Sequence, residues 1–519
     1  RLDRIGPPGG YCGVEMLNGR HLPAAMRGHF VLNDYKANSV RRFALKADGS
    51  GYKLEWQTTL LKSSHRNFRP VDVKVGPDGA LYIADFYNPI ICHQDDYFRD
   101  PTRDFHHGRI WRLSVKDAPA APLPKIVGAE ISELLELLKS PERWTRLQAK
   151  LELAQRPAAK VAPSLNEWAI ALDPKDPQHD RHLLEALAAS AMMESVQPQL
   201  LDRVLRAKDH RARAFAARIA GRWQDRLQDA DTFLARAAND EHPQVRMEAI
   251  LACGQSTRPG AIKLAAQAVT RHPRDRWIDY AFTQAVFHHE RYWRPALTEG
   301  RLDFGSDIRA LAAVLEKRGS RDLLNTLLSL AKAPDIDLAA RHGIFNGIAS
   351  IGDPNELRVI LNKDFHPNPQ SQAAALVALR NTASSRNVKP SGDLNAPLRV
   401  ALKSENAQLQ ISALALAGEW KAAGLNDEVR KLARASKSQP VQIAAIHALG
   451  QLGRDDQLLA GLLNNAKTPP PLKLAALDSL CRMDINAAVS HGAKMLAAGG
   501  DPSKVLAVFL AREGGPKAL

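Results

Sequence analysis

The sequence predicts a multidomain chain in which a short β region is followed by a long α region. Apolar residues recur with a period of two up to about residue 115 and with a period of 3.6 beyond it. The second region also repeats itself at intervals of 31 to 38 residues. The chain has 519 residues, of which 45% are hydrophobic and 24% charged, so it has enough length and apolar content for several folded domains.

Residues 1–116 are predicted to form short strands separated by turn clusters such as KADGSG and GPDGA. The predicted strands are His29–Asn33, Ser39–Leu45, Lys53–Leu61, Val71–Val75, Ala80–Ala84 and Arg109–Ser114. In VDVKVGPDGALYIAD two apolar runs flank a Pro-Asp-Gly turn, a pattern typical of a hairpin covered on both faces. Stacked propeller blades cover strands in this way, so we predict a partial β-propeller of about two four-stranded blades. A propeller closes with about four to eight blades, so we expect the others upstream of Arg1.

Residues 117–127 contain the proline-rich stretch DAPAAPLPK and are predicted to be a linker, after which residues 128–519 show the pattern of amphipathic helices. Four segments share one helix-face spacing and begin at Ser371, Leu409, Val441 and Leu472, which are 38, 32 and 31 residues apart. The pattern resembles the HEAT repeat family, as does the earlier segment DEHPQVRMEAILACG. We therefore predict a HEAT-like α-solenoid, in which small alanine side chains let stacked helices share one core.

Charge and cysteine content exclude several functions. The net charge of +15 would suit a polyanion, but Lys and Arg are spread along the chain, so we do not expect a nucleic-acid partner. Cys12, Cys92, Cys253 and Cys481 form neither CxxC nor CxxCH, so the chain encodes no zinc ribbon and no covalent haem site. Cys12 and Cys92 are predicted either to pair in an oxidising compartment or to be two free thiols. P-loop, GxGxxG and GxSxG motifs are also absent from the sequence.

The segment between Ala84 and Arg109 is the candidate functional loop. It has about 24 residues, whereas a plain hairpin loop needs about two to five. Arg69, Arg99, Arg103 and Arg109 are suited to contact an anion, because guanidinium groups make forked hydrogen bonds to carboxylates. The candidate cofactor-binding set consists of these arginines together with Asp85, Asn88, His106 and His107. Oxygen ligands suited to calcium are Asp85, Asn88, Asp100 and Asp104. The alternative is that these acidic, basic and histidine side chains form structural pairs within the loop. No catalytic base can be assigned.

The run RPVDVKVGPDGALYIADFYNPI followed by RDPTRDFHHGRIWRL resembles the closing region of the membrane-bound dehydrogenase family of planctomycete and verrucomicrobial type. In that family a propeller similar to the pyrroloquinoline-quinone (PQQ) sugar dehydrogenases precedes HEAT repeats and a c-type cytochrome domain. The resemblance implies a fragment of a quinone-dependent sugar or polyol dehydrogenase, with a PQQ-like quinone and calcium as cofactors. The solenoid would link the propeller to an electron-accepting haem domain.

The same resemblance implies that the partners are missing upstream blades and a downstream cytochrome c domain, and that the location is periplasmic or membrane-associated. The catalytic base would lie in an earlier blade, so the fragment alone is expected to be inactive. An alternative is a non-enzymatic scaffold whose propeller and solenoid both bind protein partners. A third hypothesis, a basic solenoid that binds nucleic acid, requires Lys and Arg concentrated along one face.

Overall fold

A computed structural model describes residues 10–91, 100–305, 307–318, 323–332, 336, 338–453, 455–512 and 514–518. The chain divides into two compact units, Arg1–Tyr292 and Trp293–Leu519. The first unit contains the strands and the first helices, and the second is helical in its described residues.

The strands are β1 Tyr11–Met16, β2 Phe30–Asp34, β3 Ser39–Asp48, β4 Gly51–Lys62, β5 Pro70–Val75, β6 Leu81–Asp85 and β7 Arg109–Leu113. They form two antiparallel sheets, one of order β1-β2-β3-β4 and the other of order β5-β6-β7. Apolar side chains from both sheets, including Val31, Val40, Val73 and Ile83, share one buried core. Neither sheet closes into a ring within the described residues, and the second has three strands there rather than the expected four. The assignment to propeller blades therefore stays a prediction.

The helices of the first unit follow the sheets. They are α1 Ile131–Leu137, α2 Arg143–Ala154, α3 Ala158–Ile170, α4 His179–Met192, α5 Pro198–Leu205, α6 His210–Trp223, α7 Ala230–Ala238, α8 Pro243–Gly254, α9 Ala261–Thr270, α10 Arg276–His288 and α11 Glu290–Thr298, the last of which crosses the unit boundary. Alternate helices pack on one another, α2 on α4, α4 on α6, α6 on α8 and α8 on α10. Beyond Leu113 the described residues contain no strand, as the change of period predicts.

The second unit continues with helix pairs. Its helices are α12 Ile308–Lys317, α13 Leu324–Lys332, α14 Leu338–Ile351, α15 Pro354–Leu361, α16 Pro369–Arg386, α17 Asn395–Leu402, α18 Ala407–Glu419, α19 Asn426–Ala435, α20 Gln439–Leu452, α21 Asp456–Asn464, α22 Pro470–Met483, α23 Ile485–Ala497, α24 Pro502–Leu510 and α25 Gly515–Ala518. Helices α12, α14, α16, α18, α20 and α22 pack successively and are called the stack; α13, α15, α17, α19, α21 and α23 pack against it and are called the flanking helices.

The predicted repeat faces lie inside this second unit. Leu409, Ala413, Leu416 and Ala417 of α18 are buried, as is Trp420 directly after the helix, and the sequence pattern requires this. The same spacing on α16, α20 and α22 gives faces that are mostly buried in the packed helices. The prediction of a HEAT-like α-solenoid is confirmed.

One hairpin turn ties the sheets to the helices of the first unit. The β3–β4 turn, residues 48–51, lies against the first turn of α10. Asp275 caps α10 by accepting hydrogen bonds from the backbone nitrogens of Trp277 and Ile278. Its carboxylate also accepts hydrogen bonds from Ser50, and Asp48 accepts one from the indole of Trp277 at 3.2 Å. We call this set of contacts the clasp.

Candidate functional site

Asp85, the first residue of the predicted functional loop, is buried and fully engaged. One carboxylate oxygen accepts hydrogen bonds from the backbone nitrogens of Arg69 at 2.7 Å and Tyr87 at 3.0 Å. The other accepts from Arg109 Nε at 2.9 Å and from the indole of Trp111 at 3.0 Å. The carboxylate therefore holds both ends of the loop together and has no oxygen left for a ligand.

Electrostatics fix the Asp85 carboxylate in its charged form. Burial acts to raise its pKa, but hydrogen bonds from the backbone of Arg69, from Trp111 and from Arg109 outweigh burial, so the pKa lies below its usual value. The guanidinium of Arg109 lies over the ring of Tyr87, 4.0 Å from its centroid, and 4.9 Å from that of Trp111. An arginine placed between a carboxylate and two rings serves to support the loop.

The other predicted loop residues contact the loop's own backbone. Asn88 donates to the carbonyl of Asp104 at 3.1 Å, and Arg103 donates to the carbonyl of Ile90 at 3.2 Å. Asp104 accepts from the backbone nitrogens of His106 and His107, both at 2.9 Å. These contacts close the loop across its base.

The remaining residues predicted for the site either contact neighbouring residues of the loop or are exposed. Asp100 accepts from the backbone and hydroxyl of Thr102, Arg69 donates to the carbonyl of Pro89 at 2.6 Å, and both His106 and His107 are exposed. Arg99 lies outside the described residues, as does Cys92 of the predicted cysteine pair. Cys12 donates through its thiol to the carbonyl of Pro70.

The carboxylates predicted to bind calcium are already engaged in the described part of the loop. Calcium takes about six to eight oxygen ligands, whereas Asp85 is occupied by Arg109 and Trp111. Asp100 and Asp104 bind their own backbone. Among the described residues, no three His, Cys, Asp or Glu side chains converge as a metal site would require. Binding of calcium or of a quinone stays a prediction, and no chemical step is derived from it.

A cavity of about 660 Å³ lies between the first sheet and α2. Its lining includes Glu15, which accepts hydrogen bonds from Arg143 at 2.7 Å and from the backbone nitrogen of Met16 at 2.9 Å. The carboxylate of Glu15 and the guanidinium of Arg143 therefore satisfy one another.

A second cavity, of about 520 Å³, opens on the stack of the second unit. Helix α20 carries two apolar stripes. Val441, Ala445 and Leu449 are buried in the repeat core, whereas Pro440, Ile443 and Ala444 face the cavity together with Ile411 and Ala415 of α18. The second stripe is only partly buried. We call this surface the α18–α20 groove.

Arginines stand at the two ends of the α18–α20 groove, Arg380 on α16 and Arg482 on α22. Both side chains are exposed, and within the described residues neither makes an ion pair. Gln451 and Arg482 also line an adjoining cavity of about 550 Å³ that adds Lys421 and Glu419 to the rim. The groove is thus apolar along its floor and mainly cationic at its edges.

His447 lies in the groove beside Asp478, with 3.4 Å between ring nitrogen and carboxylate oxygen. Burial acts to raise the pKa of Asp478, but the hydrogen bond from His447 and the charge of Arg512 outweigh it and lower the pKa. Asp478 is therefore already engaged by Arg512 and His447, and it does not pair with Arg482.

The described architecture defines the chain as a HEAT-type α-solenoid preceded by small antiparallel sheets. Comparison with family models matches residues 2–117 to a domain of unknown function (DUF7133) and residues 197–286 to HEAT repeats. Comparison with curated protein sequences gives no match.

Similar solved structures include a Kap95:Nup1 complex, with 12% identity over 73% of this chain and 61% of that chain, and a TM-score of 0.41. Another is the karyopherin Kap121p bound to the extreme C-terminus of the protein phosphatase Cdc14p, with 13% identity over 73% of this chain and 45% of that chain, and a TM-score of 0.42. The chain thus spans about half the length of these proteins. At such low identity and TM-score, the likeness says nothing about function.

The expectation of a quinone-dependent sugar or polyol dehydrogenase is wrong. The family match in the helical region, over residues 197–286, is to HEAT repeats, and it does not support the dehydrogenase family or its partners. The alternative, a scaffold with a protein partner on the solenoid, agrees better with this match. The periplasmic or membrane-associated location stays a prediction. Of the helices in the described part of the chain, none combines the length and apolar character that a membrane crossing requires.

The sequence analysis missed the α18–α20 groove. The signal was present as a second apolar stripe on α20, in which Pro440 and Ile443, three residues apart, lie outside the repeat face and next to Ala444 of that face. An apolar residue outside the repeat face could equally well pack against a further helix. The sequence pattern alone therefore does not show that such a residue is left uncovered.

Proposed function

We propose that this chain is a non-enzymatic scaffold whose C-terminal solenoid binds a segment of a partner protein in the α18–α20 groove. The observation that carries the proposal is the second apolar stripe of α20, which no neighbouring helix fully covers. Exposed apolar surface with a polar rim is typical of protein interaction sites, and stacked repeats commonly present such surfaces.

Two further observations support a binding role. The described carboxylates of the N-terminal loop, Asp85, Asp100 and Asp104, are engaged by neighbouring side chains and backbone, and the described residues contain no cluster suited to a metal. The groove instead offers Ile411 and Ile443 as apolar contacts. Covering one such side chain contributes about 1.5 to 3 kcal/mol, which corresponds to roughly 10- to 100-fold in affinity.

Panning a phage-displayed library of random peptides against the purified chain tests this proposal. We expect selected peptides to lose at least about tenfold in affinity for the variant Ile443→Asp. The matched control is Val400→Asp, because Val400 is an exposed apolar residue on the flanking helix α17. Both variants should keep the thermal unfolding temperature of the parent within a few degrees. If none of the peptides distinguishes Ile443→Asp from Val400→Asp, the groove is not the binding site and the proposal fails.

A further inference from the structure

We infer, on the basis of the proposed function, that the partner segment in the α18–α20 groove is acidic and apolar, with carboxylate side chains that flank apolar ones. Ile411 and Ile443 form the apolar floor, and Arg380 and Arg482 stand at its ends. The chemistry of the occupant follows from these two properties taken together.

The two end arginines differ from other arginines of the same repeats. In α17, Arg399 pairs with Glu428 at 2.5 Å, and in α19, Arg430 pairs with Asp455 at 2.6 Å. Such inter-helix pairs neutralise cations within the solenoid. Arg380 and Arg482 have no such carboxylate among the described residues, so their guanidinium groups face solvent.

The remaining rim charges leave the groove cationic. Lys421 is exposed, and Glu419, the carboxylate that lines the adjoining cavity, accepts a hydrogen bond from Ser384 at 3.2 Å. Asp478 is held by His447 and Arg512. A carboxylate forms two parallel hydrogen bonds with a guanidinium, so an acidic segment gains contacts at both ends, whereas a basic one is repelled.

The dimensions favour a short extended segment. Successive helices of the stack pack about 8 to 10 Å apart, so the distance from α16 through α18 and α20 to α22 is roughly 27 Å. An extended chain advances about 3.4 Å per residue, so about eight residues cross the groove. Alternate side chains of such a segment point in opposite directions, which places apolar side chains on the floor and leaves acidic ones for the rim.

A nucleic acid fits this surface less well. A phosphate backbone needs cations along its whole length, and its affinity comes largely from those contacts. Between Arg380 and Arg482 the surface is instead formed by Ile411, Ala415 and Ile443. An apolar floor of this length is suited to apolar side chains of a protein.

Fluorescence anisotropy with a labelled 12-residue peptide in which Leu alternates with Glu tests the inference. The comparison probes replace Glu by Lys, replace Leu by Ser, or are a 12-residue oligothymidylate. We expect the Leu-Glu peptide to bind at least tenfold tighter than the others and to weaken as salt rises. In Arg380→Glu/Arg482→Glu we expect its affinity to fall at least tenfold and that of the Leu-Lys peptide to rise. The control Lys431→Glu/Arg434→Glu makes the same change of net charge on exposed residues of α19 and should leave both affinities unchanged.

The outcomes separate this inference from the proposed function. If Leu-Glu and Leu-Lys peptides bind equally, and both lose affinity in Ile443→Asp, the charge preference is wrong while the groove still binds protein segments. Preferred binding of oligothymidylate overturns the acidic partner. If the Leu-Glu peptide does not bind, or binds independently of both Ile443 and the two arginines, the inference is overturned, and the library selection then decides the proposed function separately.

Discussion

Asp275 accepts two hydrogen bonds from Ser50, one from its backbone nitrogen at 2.5 Å and one from its hydroxyl at 2.9 Å. The same carboxylate caps the first turn of α10. One side chain therefore holds a helix start and a hairpin turn that lie 225 residues apart in sequence. Its removal should loosen the sheets from the helices of the first unit.

Asp275→Ala is expected to reduce the free energy of unfolding of the first unit by about 2 to 4 kcal/mol, because it removes both a helix cap and two hydrogen bonds to a charged acceptor. Hydrogen exchange should show faster exchange at residues 48–51. Asp484→Ala is the control, since Asp484 caps α23 through Asn486 and Ala487 and holds no hairpin. If both variants lose only about 1 kcal/mol of unfolding free energy, the contacts with Ser50 add no stability beyond that of the helix cap.

Gly49→Ala should disrupt the same clasp from the other side. Gly49 has φ of +62°, and a Cβ there would lie 2.1 Å from a carboxylate oxygen of Asp275. We expect a loss of stability well above the roughly 1 kcal/mol that a left-handed alanine costs by itself. Gly453→Ala is the control, because Gly453 has φ of +66° but no atom within 4 Å of such a Cβ. Urea unfolding of the two variants measures the difference, and equal losses would argue against a tight fit at Asp275.

Asp85→Asn should destabilise the first unit by about 3 kcal/mol, because it leaves the partly buried Arg109 without its carboxylate. Since the folded-state pKa of Asp85 lies below its usual value, the folded state binds fewer protons. This stabilisation is complete above the unfolded pKa of about 3.9 and is lost as the pH falls through the folded pKa. The gap between wild type and variant in urea unfolding should therefore be constant at neutral pH and narrow below about pH 4. A gap that stays constant down to pH 2 would contradict the assigned ion pair.

Glu185→Gln should cost about 3 kcal/mol, because Glu185 links α4 to both Arg146 and Lys150 of α2 in a largely buried site. Burial acts to raise the Glu185 pKa, but the two cations outweigh burial and lower it. Adding Lys150→Met to Glu185→Gln should recover part of the loss, since one uncompensated cation is then removed. Glu55→Gln is the control, because the exposed Lys53–Glu55 pair, 3.6 Å apart, should contribute at most about 1 kcal/mol. Thermal unfolding of the four proteins gives the comparison.

Much of the fold could be predicted from the sequence, because its elements depend on local patterns. The predicted strand Ser39–Leu45 lies within β3, and the predicted face of α18 from Leu409 to Trp420 is buried as expected. Strand β1 was not predicted as a separate element. A shift of register at Gly13, which has φ of +57°, interrupts its alternation, so the period of two is too short to recognise there.

The candidate site could be predicted less well. The loop after Asp85 is rich in the residue types that bind metals and cofactors, but the same types also close loops, and only the hydrogen bonds of Arg109 and Trp111 distinguish these roles. The groove depends on whether Ile443 is covered, which no spacing along α20 determines. The contact of Ser50 with Asp275 joins distant segments, and neither segment alone contains information about the other.

The clasp also sets an order of events during synthesis on the ribosome. Helix pairs form from contacts close in sequence, so each repeat can fold soon after it emerges. The β3–β4 turn must instead wait for Asp275, which follows Ser50 by 225 residues. At about 5 to 20 residues per second this delay is roughly 11 to 45 seconds. For that time the β3–β4 turn lacks its contacts with Asp275 and Trp277, a period in which chaperone binding or misassembly competes with closure.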